Sequence, residues 1–206
     1  MRCIFIVCAL ALVLNSAHAQ TKRLTFTSGN GVFRFHYASM LVHCKRYSSQ
    51  AEWWLPGDSC NSYSPVCIDN TFPVPGGSTT LTCFAYPKHK FEDTNFQAAA
   101  FVVAESSTNR RECLTVWDPA VKKRILNVNG TPFITFSILE ASTGNILKID
   151  AYRNFHDEKC YSLTLNLAWS NPGGWEPGTI KLFTDKDRSE VYKPLKQALE
   201  SFKFLK

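Results

Sequence analysis

The sequence predicts an α+β domain in which an antiparallel meander sheet is covered by a C-terminal helix and a short middle helix. Three observations predict this class. Runs of alternating apolar and polar residues recur along the chain, and the later runs are separated by turn signals of only a few residues. Strands joined by such short turns must be antiparallel, because a parallel return needs a crossover of about a dozen residues or more. The last part of the chain changes to helical spacing.

The N-terminus has the features of a secretory signal. Arg2 precedes an apolar run over residues 4–14, and the small residue Ala19 offers a cleavage point. That run is about eleven residues long, shorter than the roughly twenty needed to span a bilayer. We therefore expect a signal peptide over 1–19 and a single secreted or periplasmic domain over 20–206, with no transmembrane segment.

Cysteine and charge describe the mature chain further. Removing the signal takes away two of the eight cysteines and lowers the net charge from +6 to +5. An even set of cysteines in an oxidising compartment indicates disulfides, and six of them allow about fifteen pairings. The pairings we favour are Cys60–Cys67, Cys113–Cys160 and Cys44–Cys83. The densest basic runs, 122–124 and 45–46, form no long stripe, so nucleic-acid binding is not expected.

The first elements after the signal are a predicted hairpin and a long loop. Leu24 and Phe26 precede a glycine-rich turn, and apolar residues alternate again over 32–37. Residues 47–80 then contain four of the ten prolines and show no sustained period, which predicts a Cys/Pro-rich loop insertion. A bridge between Cys60 and Cys67 would hold that irregular segment locally.

The chain becomes regular again from Leu81. We predict a strand there, a dense apolar central strand, and a short helix that carries Cys113 and is capped by Ser106 or Ser107. Four further strands are predicted in sequence order, over residues 125–128, 133–139, 146–152 and 159–169. The last of these places its apolar residues on one face, namely Tyr161, Leu163, Leu165, Leu167 and Trp169.

The C-terminal segment is the predicted cover of that face. Thr184 with Asp187 forms a capping-box pattern, and apolar residues then recur at helical spacing over 191–202. Pro194 interrupts the stripe and predicts either a kink or the start of a second helix. The final "FKFL" alternates and predicts a short closing strand.

The order of these parts resembles a known family. An opening strand "GVFRFHY", a second element "FAYP", a run of antiparallel strands and a terminal helix ending in "SFKFL" resemble the PsbP-like α+β sandwich of small extracytoplasmic proteins. Secreted bacterial proteins of this kind are the most similar. The likeness covers residues 24–46 and 81–206 and leaves out the insertion. It implies a non-catalytic binding or assembly module, and no functional residue of the family is matched.

The stretch "YRNFHDEKCY" concentrates potential ligands at His156, Asp157, Glu158 and Cys160. A zinc site needs about four converging ligands, whereas neighbouring strand residues point to opposite faces. None of the other histidines has a metal-binding spacing to this stretch. We therefore expect a hairpin turn and one end of a disulfide, with no metal and no cofactor.

Two functional classes remain open. The hydrolase motif G-x-S-x-G is absent, although carboxylates distant in sequence could still meet in the fold. Large aromatic rings in loops often contact sugars, peptides or proteins, and the candidates are Trp53, Trp54, Trp169 and Trp175. The alternative is that these rings fold back over the sheet. We expect a monomeric, non-catalytic binding module for a protein, peptide or glycan; the alternative is a hydrolase using carboxylates brought together by the fold.

Overall fold

The computed structural model describes residues 22–44, 66–67, 78–116, 118–142 and 144–205. The predicted signal peptide and most of the predicted insertion lie outside these ranges. The described strands and helices are β1 (Arg23–Thr27), β2 (Phe33–Ala38), β3 (Val42–Cys44), β4 (Thr79–Ala85), β5 (Phe96–Ser106), α1 (Arg110–Cys113), β6 (Arg124–Val128), β7 (Thr131–Ser142), β8 (Asn145–His156), β9 (Lys159–Ser170), α2 (Asp185–Glu200) and β10 (Lys203–Phe204).

The strands form two sheets. The larger has the order β3-β4-β5-β9-β8-β7-β6 with antiparallel neighbours, and the smaller has the order β1-β2-β10. The predicted α+β class, with antiparallel strands and a C-terminal helix, is therefore confirmed. The meander runs from β6 to β9; β9 then pairs with β5, and the N-terminal hairpin joins the smaller sheet. The predicted closing strand is β10.

The smaller sheet forms a separate layer because its aromatic residues need a surface to cover them. Phe33 and Phe35 of β2 are fully buried. The Phe35 ring meets Phe84 of β4 and Phe101 of β5 edge-on, with ring centroids 5.2 and 5.0 Å apart. If β2 paired edge to edge with the larger sheet, the rings of Phe33 and Phe35 would lie on the same surface as Phe84. No facing layer would then bury them.

Helix α2 packs beside the smaller sheet on the same face of the larger sheet. Its predicted capping box is present: the Asp187 amide donates to Thr184 Oγ1 at 3.3 Å, and the Thr184 amide donates to Asp187 Oδ2 at 2.8 Å. The prediction that a second helix begins at Pro194 is wrong. A single helix continues through this residue, because the buried stripe that includes Val191 and Leu195 packs on the sheet before and after it. Neither described helix is long and apolar enough to cross a bilayer.

Two local expectations near α1 also need correction. The cap of α1 is Asn109, whose side chain accepts from the Glu112 amide at 3.0 Å. Ser106 instead ends the long strand β5, so the helix starts later than predicted.

The disulfides described here are Cys67–Cys83 and Cys113–Cys160, each with a Cα–Cα distance of 5.4 Å. The second is the pair that the sequence suggested. The predicted Cys60–Cys67 and Cys44–Cys83 bridges are wrong, since Cys67 and Cys83 bond to each other. The physical reason is the path of the chain: Asn166 Nδ2 donates to the Val66 carbonyl at 2.7 Å and holds this part of the insertion over the sheet face that carries Cys83.

Candidate functional site

The part of the larger sheet that α2 and β2 leave uncovered forms a groove. Helix α2 contacts β2, β5 and β9. Beside it, residues of β6, β7 and β8 line an open cavity of about 420 Å³, which we call the β6–β8 groove. Its polar and apolar lining includes Lys122, Arg124, Leu126, Ser137, Asp150 and Tyr152.

Strand register explains why these residues share one surface. Arg124 of β6 lies opposite Thr135 of β7, which lies opposite Tyr152 of β8. Ser137 in the same way lies opposite Asp150. Residues directly opposite each other in an antiparallel pair point to the same face of the sheet. The register therefore gathers side chains from three strands in the groove.

Asp150 is held by neighbours on the floor of the groove. The Ser137 hydroxyl donates to its Oδ1 at 2.5 Å, and Lys148 Nζ lies 3.3 Å from its Oδ2. The Lys148 ammonium also lies 4.9 Å from the centroid of the Tyr192 ring on α2. The negative charge of this carboxylate is therefore compensated within the protein.

Two phenols beside Asp150 are kept protonated. Burial, and then the nearby Asp150 charge, raises the pKa of Tyr192 above the ordinary tyrosine value. Burial also raises the pKa of Tyr152, with further contributions from Asp150 and Glu200. Both hydroxyls are neutral at physiological pH, so Tyr152 can offer the groove a hydrogen-bonding group but no base.

The rim of the groove carries positive charge. Lys122 and Arg124 are exposed, and among the described residues neither has a carboxylate within ion-pair distance. Because Asp150 is already compensated by Lys148, these two cations are left to attract a ligand. The groove therefore favours a negatively charged group at this end.

The described cavities do not assemble a pair of acids. The groove is lined by one carboxylate, Asp150, and a second cavity of about 200 Å³ near the end of α2 is also lined by one, Glu200. Glycosidase-type hydrolysis requires two carboxyl groups flanking the scissile bond. Within the described residues, neither of these two cavities supplies that arrangement.

The predicted tryptophan site is separate from the groove. Trp53 and Trp54 lie outside the described residues. Trp169 is partly buried, with the Arg188 guanidinium 5.3 Å above its ring. Trp175 is 48% exposed, and its Nε1 donates to Ser170 Oγ at 3.1 Å. The ring of Trp169 thus packs on the molecule, whereas that of Trp175 faces water over much of its surface.

The stretch "YRNFHDEKCY" forms a two-residue hairpin turn. Asp157 and Glu158 have φ values of 45° and 60°, and His156 pairs with Lys159 across them. Positive φ at both central residues is the geometry of a type I′ turn. The His156 ring stacks on Phe204 with centroids 3.9 Å apart, so this imidazole helps to join β8 to the smaller sheet.

The described chain contains one compact group of potential metal ligands. The sulfur atoms of Cys44, Cys67 and Cys83 lie within 4.8 Å of one another. All three are disulfide-bonded. A thiolate is the form of cysteine that binds metal, so these oxidised sulfurs do not provide a metal site.

Sequence reasoning missed the groove as a site. The basic run 122–124 is visible in the sequence but forms no long stripe, and Ser137 and Asp150 have no motif to mark them. The available signal was the combination of that basic run with the apolar Ile125 and Leu126 on a short predicted strand.

The chain is an α+β sandwich with an open groove along β6, β7 and β8 at one end of the larger sheet. No family model matches the chain, and no curated protein matches it. One similar solved structure is LpqN, involved in cell envelope biogenesis of Mycobacterium tuberculosis, with 8% identity, a TM-score of 0.44, and coverage of 90% of this chain and 91% of that chain. Another is the cyanobacterial PsbP, CyanoP, from Synechocystis sp. PCC 6803, with 10% identity, a TM-score of 0.40, and coverage of 89% and 93%. The resemblance to PsbP-like proteins is thus found again, and at these scores it carries no conclusion about ligand, location or activity.

Proposed function

We propose that this chain is a secreted or periplasmic, monomeric and non-catalytic binding module, and that the β6–β8 groove is its binding site. The observation that carries the proposal is the combination, in one uncovered groove, of the cations Lys122 and Arg124 with the exposed side chain of Leu126. Disulfides support an extracytoplasmic location, because such bonds form and persist in oxidising compartments.

The balance of forces indicates what the groove recognises. An exposed ion pair contributes only about 0.2–1 kcal/mol, so Lys122 and Arg124 alone hold a ligand weakly. Leu126 is 47% exposed, so covering it contributes about half of the roughly 1.5–3 kcal/mol that fully burying a leucine gives. A ligand that satisfies both has an apolar part over Leu126 and an acidic group toward the two cations.

The tryptophans remain a proposed second contact region. Trp175 is the exposed member of the two that the structure describes, and it lies in a loop after β9. Exposed indole rings commonly contact ligands. We keep Trp53, Trp54 and Trp169 in this proposal as its further members.

Arrays of peptides and glycans probed with the mature chain test the proposed function. We expect retention of at least one ligand class, which falls strongly in the double variant Lys122→Glu/Arg124→Glu. The matched control is Arg110→Glu/Arg111→Glu, which changes the net charge equally at two exposed cations of α1. Equal retention by both double variants, or retention that depends on Trp175→Ala alone, would contradict the groove as the binding site.

A further inference from the structure

Among the described strands, none pairs with the outer edge of β6. β6 is the last strand of the larger sheet, and its partner in the described part of the chain is β7. Its five residues pair with residues 131–135, and among the described strands none pairs with the outer side of β7 beyond that point. An edge strand presents backbone N–H and C=O groups that an additional strand can use.

Apolar side chains occupy the middle of this edge instead of the charges that usually protect one. Ile125 is 69% exposed and Leu126 is 47% exposed, and successive strand residues point to opposite faces. Leu139, farther along β7, is 68% exposed. An incoming strand would therefore find apolar contacts on both of its faces.

The basic residues lie at one end of the same edge. Lys122, Lys123 and Arg124 directly precede Ile125, and Lys122 and Arg124 line the groove. No acidic residue occurs between positions 119 and 139. A second copy of the chain pairing through β6 would thus bring no carboxylate from that segment to these cations, whereas an acidic partner would.

Resting on the proposed function, we propose that the ligand is an extended peptide segment that adds to β6 as a further strand. This peptide carries apolar residues opposite Ile125 to Val128 and acidic residues opposite Lys122 to Arg124. Backbone hydrogen bonds to β6 supply affinity, and the alternating side chains supply specificity. The groove then receives the side chains on one face of the added strand.

The test uses a fluorescent peptide of about nine residues, long enough to cover residues 122–128 and within the range of ordinary strand lengths. It has valines at one end and glutamates alternating with threonines at the other. Two further versions of the peptide carry N-methyl groups on alternate backbone nitrogens. One version is methylated at the odd-numbered residues and the other at the even-numbered residues. Only one set faces β6, so we expect one methylated version to lose about tenfold or more in affinity and the other to bind like the parent. Wild-type protein suffices for this comparison, so misfolding of a variant cannot affect it.

Protein variants locate the bound peptide. We expect Ile125→Asp/Leu126→Asp to abolish binding, while Leu182→Asp, at a side chain that is 59% exposed elsewhere, leaves it unchanged. Equal binding of both methylated peptides would overturn strand addition. Concentration-dependent dimerisation of the free chain that the double aspartate variant removes would show a second copy on this edge and overturn it too. Groove-dependent retention of a glycan without any peptide binding would overturn this inference and leave the proposed function standing.

Discussion

At the scale of single residues, burial controls the ionisation of the tyrosines. Tyr86, directly after β4, is 1% exposed. Burial, followed by the nearby Glu190 of α2, raises its pKa to about 12. The folded chain therefore holds this proton more tightly than the unfolded chain, in which a tyrosine has a pKa of about 10.

This shift predicts a loss of stability in alkali. The contribution of Tyr86 is fully present below pH about 10 and is lost as the pH rises toward about 12, because only the unfolded chain ionises in that window. At about 1.4 kcal/mol per pH unit, the loss reaches about 2–3 kcal/mol. Urea titrations across this window should show a shallower decline for Tyr86→Phe than for the wild type. Parallel declines would contradict the shift, and Tyr37→Phe, at a half-buried tyrosine of β2, is the matched control.

At the scale of elements, Pro194 lies inside an uninterrupted helix. It cannot donate to the Glu190 carbonyl, and a proline in a helix interior costs about 3 kcal/mol. Its ring is buried, and losing about two methylene groups from a buried position costs about 1.6 kcal/mol. The cost of the missing hydrogen bond is the larger of the two.

We therefore expect Pro194→Ala to raise the free energy of unfolding by about 1 kcal/mol. The midpoint of urea unfolding measures this change. Lys193→Ala, at the exposed neighbouring position, should leave the midpoint nearly unchanged. Destabilisation by Pro194→Ala would show instead that the packing of the ring outweighs the lost hydrogen bond.

The positions of most strands and of α2 could be predicted from the sequence alone, whereas their tertiary contacts could not. Period-two alternation and turn signals located the strands, and the pattern from Thr184 to Asp187 located the start of α2, because these signals are local. The return of β9 to β5 was not predictable, since it depends on which strands lie nearest after folding. The Cys67–Cys83 bridge and the meeting of Ser137 with Asp150 depend on the same tertiary arrangement.

At the scale of the whole molecule, one aromatic core joins the two sheets and α2. Phe35 of β2 contacts Phe84 and Phe101 of the larger sheet. The ring centroid of Phe33 lies 5.3 Å from that of Phe202, which follows α2. The layers therefore share their buried surface. We expect them to unfold together.

Replacing Phe35 tests this shared core. Phe35→Ala should lower the free energy of unfolding by about 3–5 kcal/mol, since it leaves a cavity between the layers. The half-buried Phe26 of the same sheet is the matched control, and Phe26→Ala should cost less. Far-ultraviolet and near-ultraviolet circular dichroism should report one coincident transition in each variant. Two separated transitions would show that the smaller sheet unfolds independently.

The proposed binding site is the outer edge of β6, which the aromatic core leaves uncovered. Hydrogen exchange of the mature chain, with and without the acidic peptide, tests this most directly. We expect slower exchange of backbone amides in Arg124–Val128 and unchanged exchange in α2 and β9. Peptide binding that leaves exchange at the β6 edge and its groove unchanged, and slows it elsewhere instead, would contradict the account.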